Sequence, residues 1–182
     1  MPLQNRILLP RRTLIGPLLC LVLVASAALL PAKAQDTRLE IEKGVIQLED
    51  VVPRATSIAR GIVTSSRTEW YGQSIITIYD VRIEESLKGE PGRSLRFLLP
   101  GGRLGKVQTI WPGLPRLTSG DEIVLFAEAD SSLPALRPID FIHGIVPVRR
   151  RPADGARVVD VRGKAESLEQ FLNAVRQILG RR

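Results

Sequence analysis

The segment Ile76 to Leu87 constrains the fold most. Tyr79, Val81 and Ile83 alternate with Asp80, Arg82 and Glu84, the two-residue period of a strand with one dry and one wet face. Just upstream, Ile76 and Ile78 fall on the opposite parity. A strand whose buried face changes along its length is long and strongly coiled, so the expected fold is mainly β, with a small curled sheet of barrel type.

The neighbouring segments extend this reading. Ser57 to Thr68 is a strand with Gly61 in its middle, where a bulge or sharp bend is expected. Trp70-Tyr71-Gly72-Gln73 is a hairpin turn leading into the strand Ser74 to Leu87. Lys88-Gly89-Glu90-Pro91-Gly92 is a second turn, and Ser94 to Leu99 a third strand. The apolar run Ile123 to Phe126 within Asp121 to Ala129 reads as a buried central strand. Asp140 to Arg149 and Arg157 to Val161 are expected to pair as a hairpin around Asp154-Gly155.

Two helices are expected. Leu48, Val51, Val52 and Ala55 have helical spacing, with Glu49 and Asp50 in the first turn and Pro53 limiting the length. At the C-terminus, Ser167 and Gln170 form a capping box. Leu168, Phe171, Leu172, Val175, Ile178 and Leu179 then mark one helical face before Gly180, and that face must pack on the sheet.

The N-terminus carries an export pattern. Arg6, Arg11 and Arg12 precede the apolar run Leu14 to Leu30, and Pro31-Ala32-Lys33-Ala34 follows as a small-x-small cleavage site. An uncleaved anchor is the competing reading, but Gly16 and Pro17 interrupt the run. Arg11-Arg12 resembles the twin-arginine pattern; Pro10 and the hydrophobicity of Leu18 to Val24 favour the general secretion route. Cys20 follows Leu19 rather than a small residue, which argues against lipidation. The organisation expected is a signal peptide at 1–34, a linker at 35–47, an OB-like barrel of five to six strands at 48–165 and a packed helix at 166–180.

Cleavage after Ala34 changes the composition that matters. The whole chain has 26 basic and 19 acidic residues and a formal charge of +7. Without Arg6, Arg11, Arg12 and Lys33, the remaining 148 residues carry 22 basic against 19 acidic groups, a formal charge of +3. Cys20 and Met1, the single cysteine and methionine, leave as well. A disulfide framework and a cysteine-ligated metal site are thereby excluded from the exported part.

Ala59-Arg60-Gly61-Ile62-Val63, Trp70, Val81-Arg82-Ile83 and Leu87-Lys88-Gly89 together resemble a group of small exported bacterial proteins of uncharacterised function. Gly101-Gly102, Gly113-Leu114-Pro115 and Gly120-Asp121-Glu122 extend the resemblance over about Leu48 to Val161. More distantly the pattern is similar to netrin-like domains such as the N-terminal domain of tissue metalloproteinase inhibitors. The resemblance implies an OB-like barrel and export. It carries over no functional residue, because those inhibitors act through an N-terminal cysteine that the processed chain lacks.

No H-E-x-x-H, G-x-S-x-G, Walker loop or G-x-G-x-x-G occurs in the chain. The one histidine, His143, is expected to be structural or surface. Glu84-Glu85 and Asp121-Glu122 are sequence neighbours, and neighbours on a strand face opposite ways, so neither pair is an acid/base dyad.

Gly101 to Gly120 carries more information. It holds five glycines, two prolines and Trp111, and loops of this length in compact domains are often functional. Trp70, Tyr71, Arg103 and Trp111 are the candidate binding residues. The competing reading is that both tryptophans cap the core. Arg149-Arg150-Arg151 is read as a solvated hairpin end, or as a contact for envelope phosphates or an acidic partner.

The expected function is that of a secreted or periplasmic, non-enzymatic binding module with no cofactor and no metal. Its partner would be a protein or cell-envelope component, not nucleic acid, and not a membrane after cleavage. A carbohydrate or cell-wall binder using Trp70 and Trp111 is one alternative. A hydrolase built from Asp80, Glu84, Asp121, Glu122 and His143 is the other.

Overall fold

In a computed structural model, residues 47–161 and 163–181 are described. The expected leader and all but the last residue of the expected linker lie outside them. The chain forms α1 (Leu48–Arg54), β1 (Ser57–Tyr71), β2 (Ser74–Lys88), β3 (Ser94–Pro100), β4 (Gly102–Leu104), β5 (Val107–Thr109), β6 (Glu122–Glu128), β7 (Arg137–Pro138), β8 (Ile145–Arg150), β9 (Arg157–Val161), β10 (Lys164–Ser167) and α2 (Leu168–Gly180). It is mainly β, with a C-terminal helix. No helix among the described residues is long and apolar enough to cross a membrane.

The strands pair in the order β10-β9-β8-β6-β1-β2-β3, and β7 pairs with β6. All of these ladders are antiparallel. The expected barrel is not closed: the path ends at β10 and β3. What lies there is a single parallel bridge, Phe97 to Leu136, in which the Leu98 N–H donates to the Leu136 carbonyl at 3.0 Å and the Leu136 N–H to the Arg96 carbonyl at 3.0 Å.

The parity change in β2 has a packing cause. Tyr79 and Val81 enter a cluster with Ala59, Val63, Phe97, Leu99, Ile123 and Leu125 inside the curl of the sheet. Ile76 and Ile78 join Leu98 beneath Leu133, Ala135 and Phe141. One strand therefore contributes to two clusters on opposite faces. The pairing of β1 with β2 shifts register between Ile58 and Ala59, between Arg60 and Gly61, and between Val63 and Ser65. The second shift lies at Gly61, where the sequence places a bulge or sharp bend.

A third cluster lies between the sheet and the helices. Phe171, Leu172 and Val175 of α2 meet Val51 and Val52 of α1, with Ile58, Val124, Phe126 and Val146 of the sheet. Phe171 is edge-on to Phe126 at 6.2 Å. Burying side chains of this size stabilises by roughly 1.5–3 kcal/mol each. The Ser167 hydroxyl accepts the Gln170 N–H at 3.1 Å, so the cap holds the helix start where the sequence placed it.

Two expected segments differ. Asp140 to Gly144 is not strand but a turn, with Asp140 at φ 48° and Phe141 at φ 55°. Arg54 of α1 holds Asp140 through two hydrogen bonds of 2.7 and 2.9 Å. Such a contact, 86 residues away in sequence, offsets the cost of left-handed backbone at a non-glycine residue. The second difference is the Gly101 to Gly120 segment, which contains the hairpin β4–β5 instead of being loop throughout.

Candidate functional site

The β4–β5 arm folds back over β1 and β2, and two glycines permit it. Gly101 and Gly102 have φ of 89° and 134°, values that L side chains rarely adopt. A Cβ on Gly102 would lie 2.4 Å from Thr77 Oγ1 and 2.8 Å from Thr68 Cγ2. The approach is fixed by polar contacts. The Gly101 N–H donates to the Ile75 carbonyl at 2.7 Å, and the Thr77 hydroxyl donates to the Gly101 carbonyl at 2.8 Å. The Thr77 proton is thereby used, so the 3.1 Å contact between the two hydroxyls is donated by Thr68.

Between the arm and the sheet is a cleft of about 210 Å³. Its floor includes Thr77, Tyr79 and Leu99, and its walls include Arg103, Trp111, Leu114 and Arg116. Tyr79 is 8% exposed, stacked on Phe97 at 5.1 Å, and burial pushes its phenol pKa up. The phenol stays protonated at neutral pH and makes no hydrogen bond to a described residue.

The rim is apolar and exposed. Ile110 is 65% exposed and Trp111 54%, and Val107 is exposed beside them. The tryptophan therefore does not cap the core. Arg103 and Arg116 line the same cleft, and neither they nor Lys106 in the β4–β5 turn pairs with a carboxylate among the described residues. No Asp or Glu among the described residues lines the cleft.

The four sequence candidates do not form one surface. Arg103 and Trp111 line the cleft. Trp70 pairs with Ile75, next to the Thr68–Thr77 pair that underlies the arm, and so shares that sheet face without lining the cleft. It too is exposed, at 53%. Tyr71 is its strand neighbour and projects to the other face, where its hydroxyl donates to the Ser132 carbonyl.

The acidic groups weighed for catalysis are dispersed. Asp80 accepts from Arg96 and Ser65, which hold its carboxyl below the usual range. Glu84 pairs with Arg82. Asp121 accepts the Thr118 N–H and hydroxyl. Glu122 is shared by Arg60 at 2.8 Å and Arg157 at 3.2 Å. His143 lies 3.6 Å from Asp140. Arg60, only 15% exposed, also reaches Glu85 at 3.3 Å, and Glu85 meets Arg176, so this network ties β1, β2, β6, β9 and α2 together. Among the described residues, no three of His, Cys, Asp and Glu gather as a metal site would require.

Sequence reading passed over Thr77, Tyr79 and Arg116. Tyr79 read only as one member of an alternating strand, and nothing local indicates that an arm will cover it. One signal for the arm is present: Gly105-Lys106 between Leu104 and Val107 is a two-residue hairpin loop with glycine first, and Gly105 has φ 62°. The sequence matches no family model and none of the curated proteins.

Proposed function

We propose that this chain is an exported, non-enzymatic binding module whose contact surface is the Gly101 to Gly120 segment with Trp70 beside it. The observation that carries this reading is the exposed Ile110 and Trp111 at the mouth of a cleft bordered by unpaired cations. Isolated exposed apolar side chains need no explanation, but a contiguous group with aromatic and arginine members has the composition of a binding surface. The dispersal of Asp80, Glu84, Asp121, Glu122 and His143, mostly onto their own partners, argues against the hydrolase.

The same proposal includes an OB-like barrel and the kinship with small exported proteins. The β3 bridge to Leu136 supports the barrel, because Leu136 runs directly into β7, which pairs with β6. Export rests on the leader pattern at 1–34. Gln108 beside Trp111 in the cleft lining keeps a carbohydrate as the second reading, since sugar sites pair an aromatic face with an amide or carboxylate.

Recovery of envelope components on the immobilised protein, compared with its Trp111→Ala variant, tests the surface. Partners captured by the wild type should be lost with the variant while its melting temperature is unchanged. Equal recovery of every partner by both proteins refutes the assignment.

A further inference from the structure

The cleft is small for a dedicated small-molecule site. Ligand pockets usually enclose about 300–1,000 Å³, whereas this one encloses about 210 Å³. That is room for one large side chain. Ile110 and Trp111 line it and stay largely exposed, and Val107 is exposed on β5, so a partner's flanking residues would meet apolar surface at its mouth. An anchoring pocket within an exposed aromatic rim is the arrangement of a protein–protein hot spot.

The charge is one-sided. Elsewhere Arg54, Arg60, Arg67, Arg82, Arg96, Arg137, Arg151, Arg157 and Arg176 each pair with a carboxylate. Arg103, Lys106 and Arg116 pair with none among the described residues, and 101–120 itself contains no Asp or Glu. Arg93, Arg149, Arg150, Lys164 and Arg181 also lack an acidic partner among the described residues, but none of the large exposed apolar side chains is a sequence neighbour of theirs.

We infer that the partner is a protein segment that inserts one apolar side chain into this cleft and presents carboxylates on either side of it to Arg103 and Arg116. Complementary charge steers the encounter and excludes basic segments, while the buried anchor supplies most of the affinity. The inference rests on the reading of the Gly101 to Gly120 arm as the contact surface.

A random peptide library displayed on phage is the probe, selected against the protein as recovered from an exporting host. Selected peptides should be enriched in Leu, Ile or Phe flanked by Asp or Glu. Their retention should fall at least tenfold with Trp111→Ala, with Ile110→Ser and with the double variant Arg103→Gln/Arg116→Gln. Apolar peptides without acid enrichment that still depend on Trp111 overturn the acidic partner and leave the contact surface standing. Acidic peptides that ignore the Arg103/Arg116 variant but are lost on replacing Arg149 and Arg150 overturn it in favour of the other turn. If nothing selected depends on Trp111 or Ile110, both the partner and the contact surface are wrong.

Discussion

Replacing Gly61 with alanine tests the central packing claim about β1. Gly61 does not have positive φ, so alanine is conformationally acceptable and the substitution reports on space alone. An added Cβ would lie 2.5 Å from the Arg82 carbonyl oxygen and 2.6 Å from Val81 Cγ1. Val81 can turn; the backbone oxygen cannot. Ordinary contact begins at 3.4 Å, so β1 and β2 must separate locally by about 0.9 Å. That movement carries hydrogen bonds of about 2.9 Å beyond bonding range. Two weakened ladder bonds at about 1 kcal/mol each, with about 1–3 kcal/mol for overpacking, give a loss of about 3–5 kcal/mol. For a domain of this size the melting temperature should fall by roughly 10 °C. Circular dichroism melting of the purified protein measures it, with Gly180→Ala as control. No atom lies within 4 Å of a Cβ at Gly180, and helix propensity there favours alanine. A Gly61→Ala protein that melts within about 2 °C of wild type would show that the strands do not approach at this glycine as described.

Two further outcomes follow from the same structure. Ser167→Ala removes the acceptor for the Gln170 N–H and should cost about 1 kcal/mol in urea unfolding, with Ser167→Asp retaining most of the wild-type value. Hydrogen bonds from Arg54 hold the Asp140 carboxyl below its usual range, so this contact stabilises fully above the unfolded-state value of about 3.9 and loses its effect as pH falls through the folded value. The urea midpoint of wild type should therefore exceed that of Arg54→Met at pH 7, and the gap should narrow in strong acid; a gap that widens there reverses the sign of the argument.

The parts that were legible from sequence share a physical property: each is specified by residues within one or two turns of one another. The face of α2 follows from Leu168, Phe171, Leu172 and Val175 because helical geometry alone brings them together. The turn at Gly72-Gln73 follows from the flanking strands, and the two clusters served by β2 follow from the parity of Ile78 and Tyr79. The corrections fall where distant residues decide. Phe141 and Ile142 have strand-like side chains, yet Asp140 is drawn into left-handed backbone by an arginine in α1. The site divides in the same way. Trp111 and Arg103 stood out because their own segment is rich in glycine and proline. Tyr79 did not, because its local pattern is that of a core strand and its role is conferred by an arm that begins more than twenty residues later. What makes the cleft a cationic anchor is the arm's fold over Thr68 and Thr77, made possible by two glycines. Arg103 and Trp111 on the arm are meaningful as a pair only once Tyr79 lies beneath them. A substitution at Gly102 should therefore impair binding as severely as one at Trp111, although Gly102 offers a ligand no side chain.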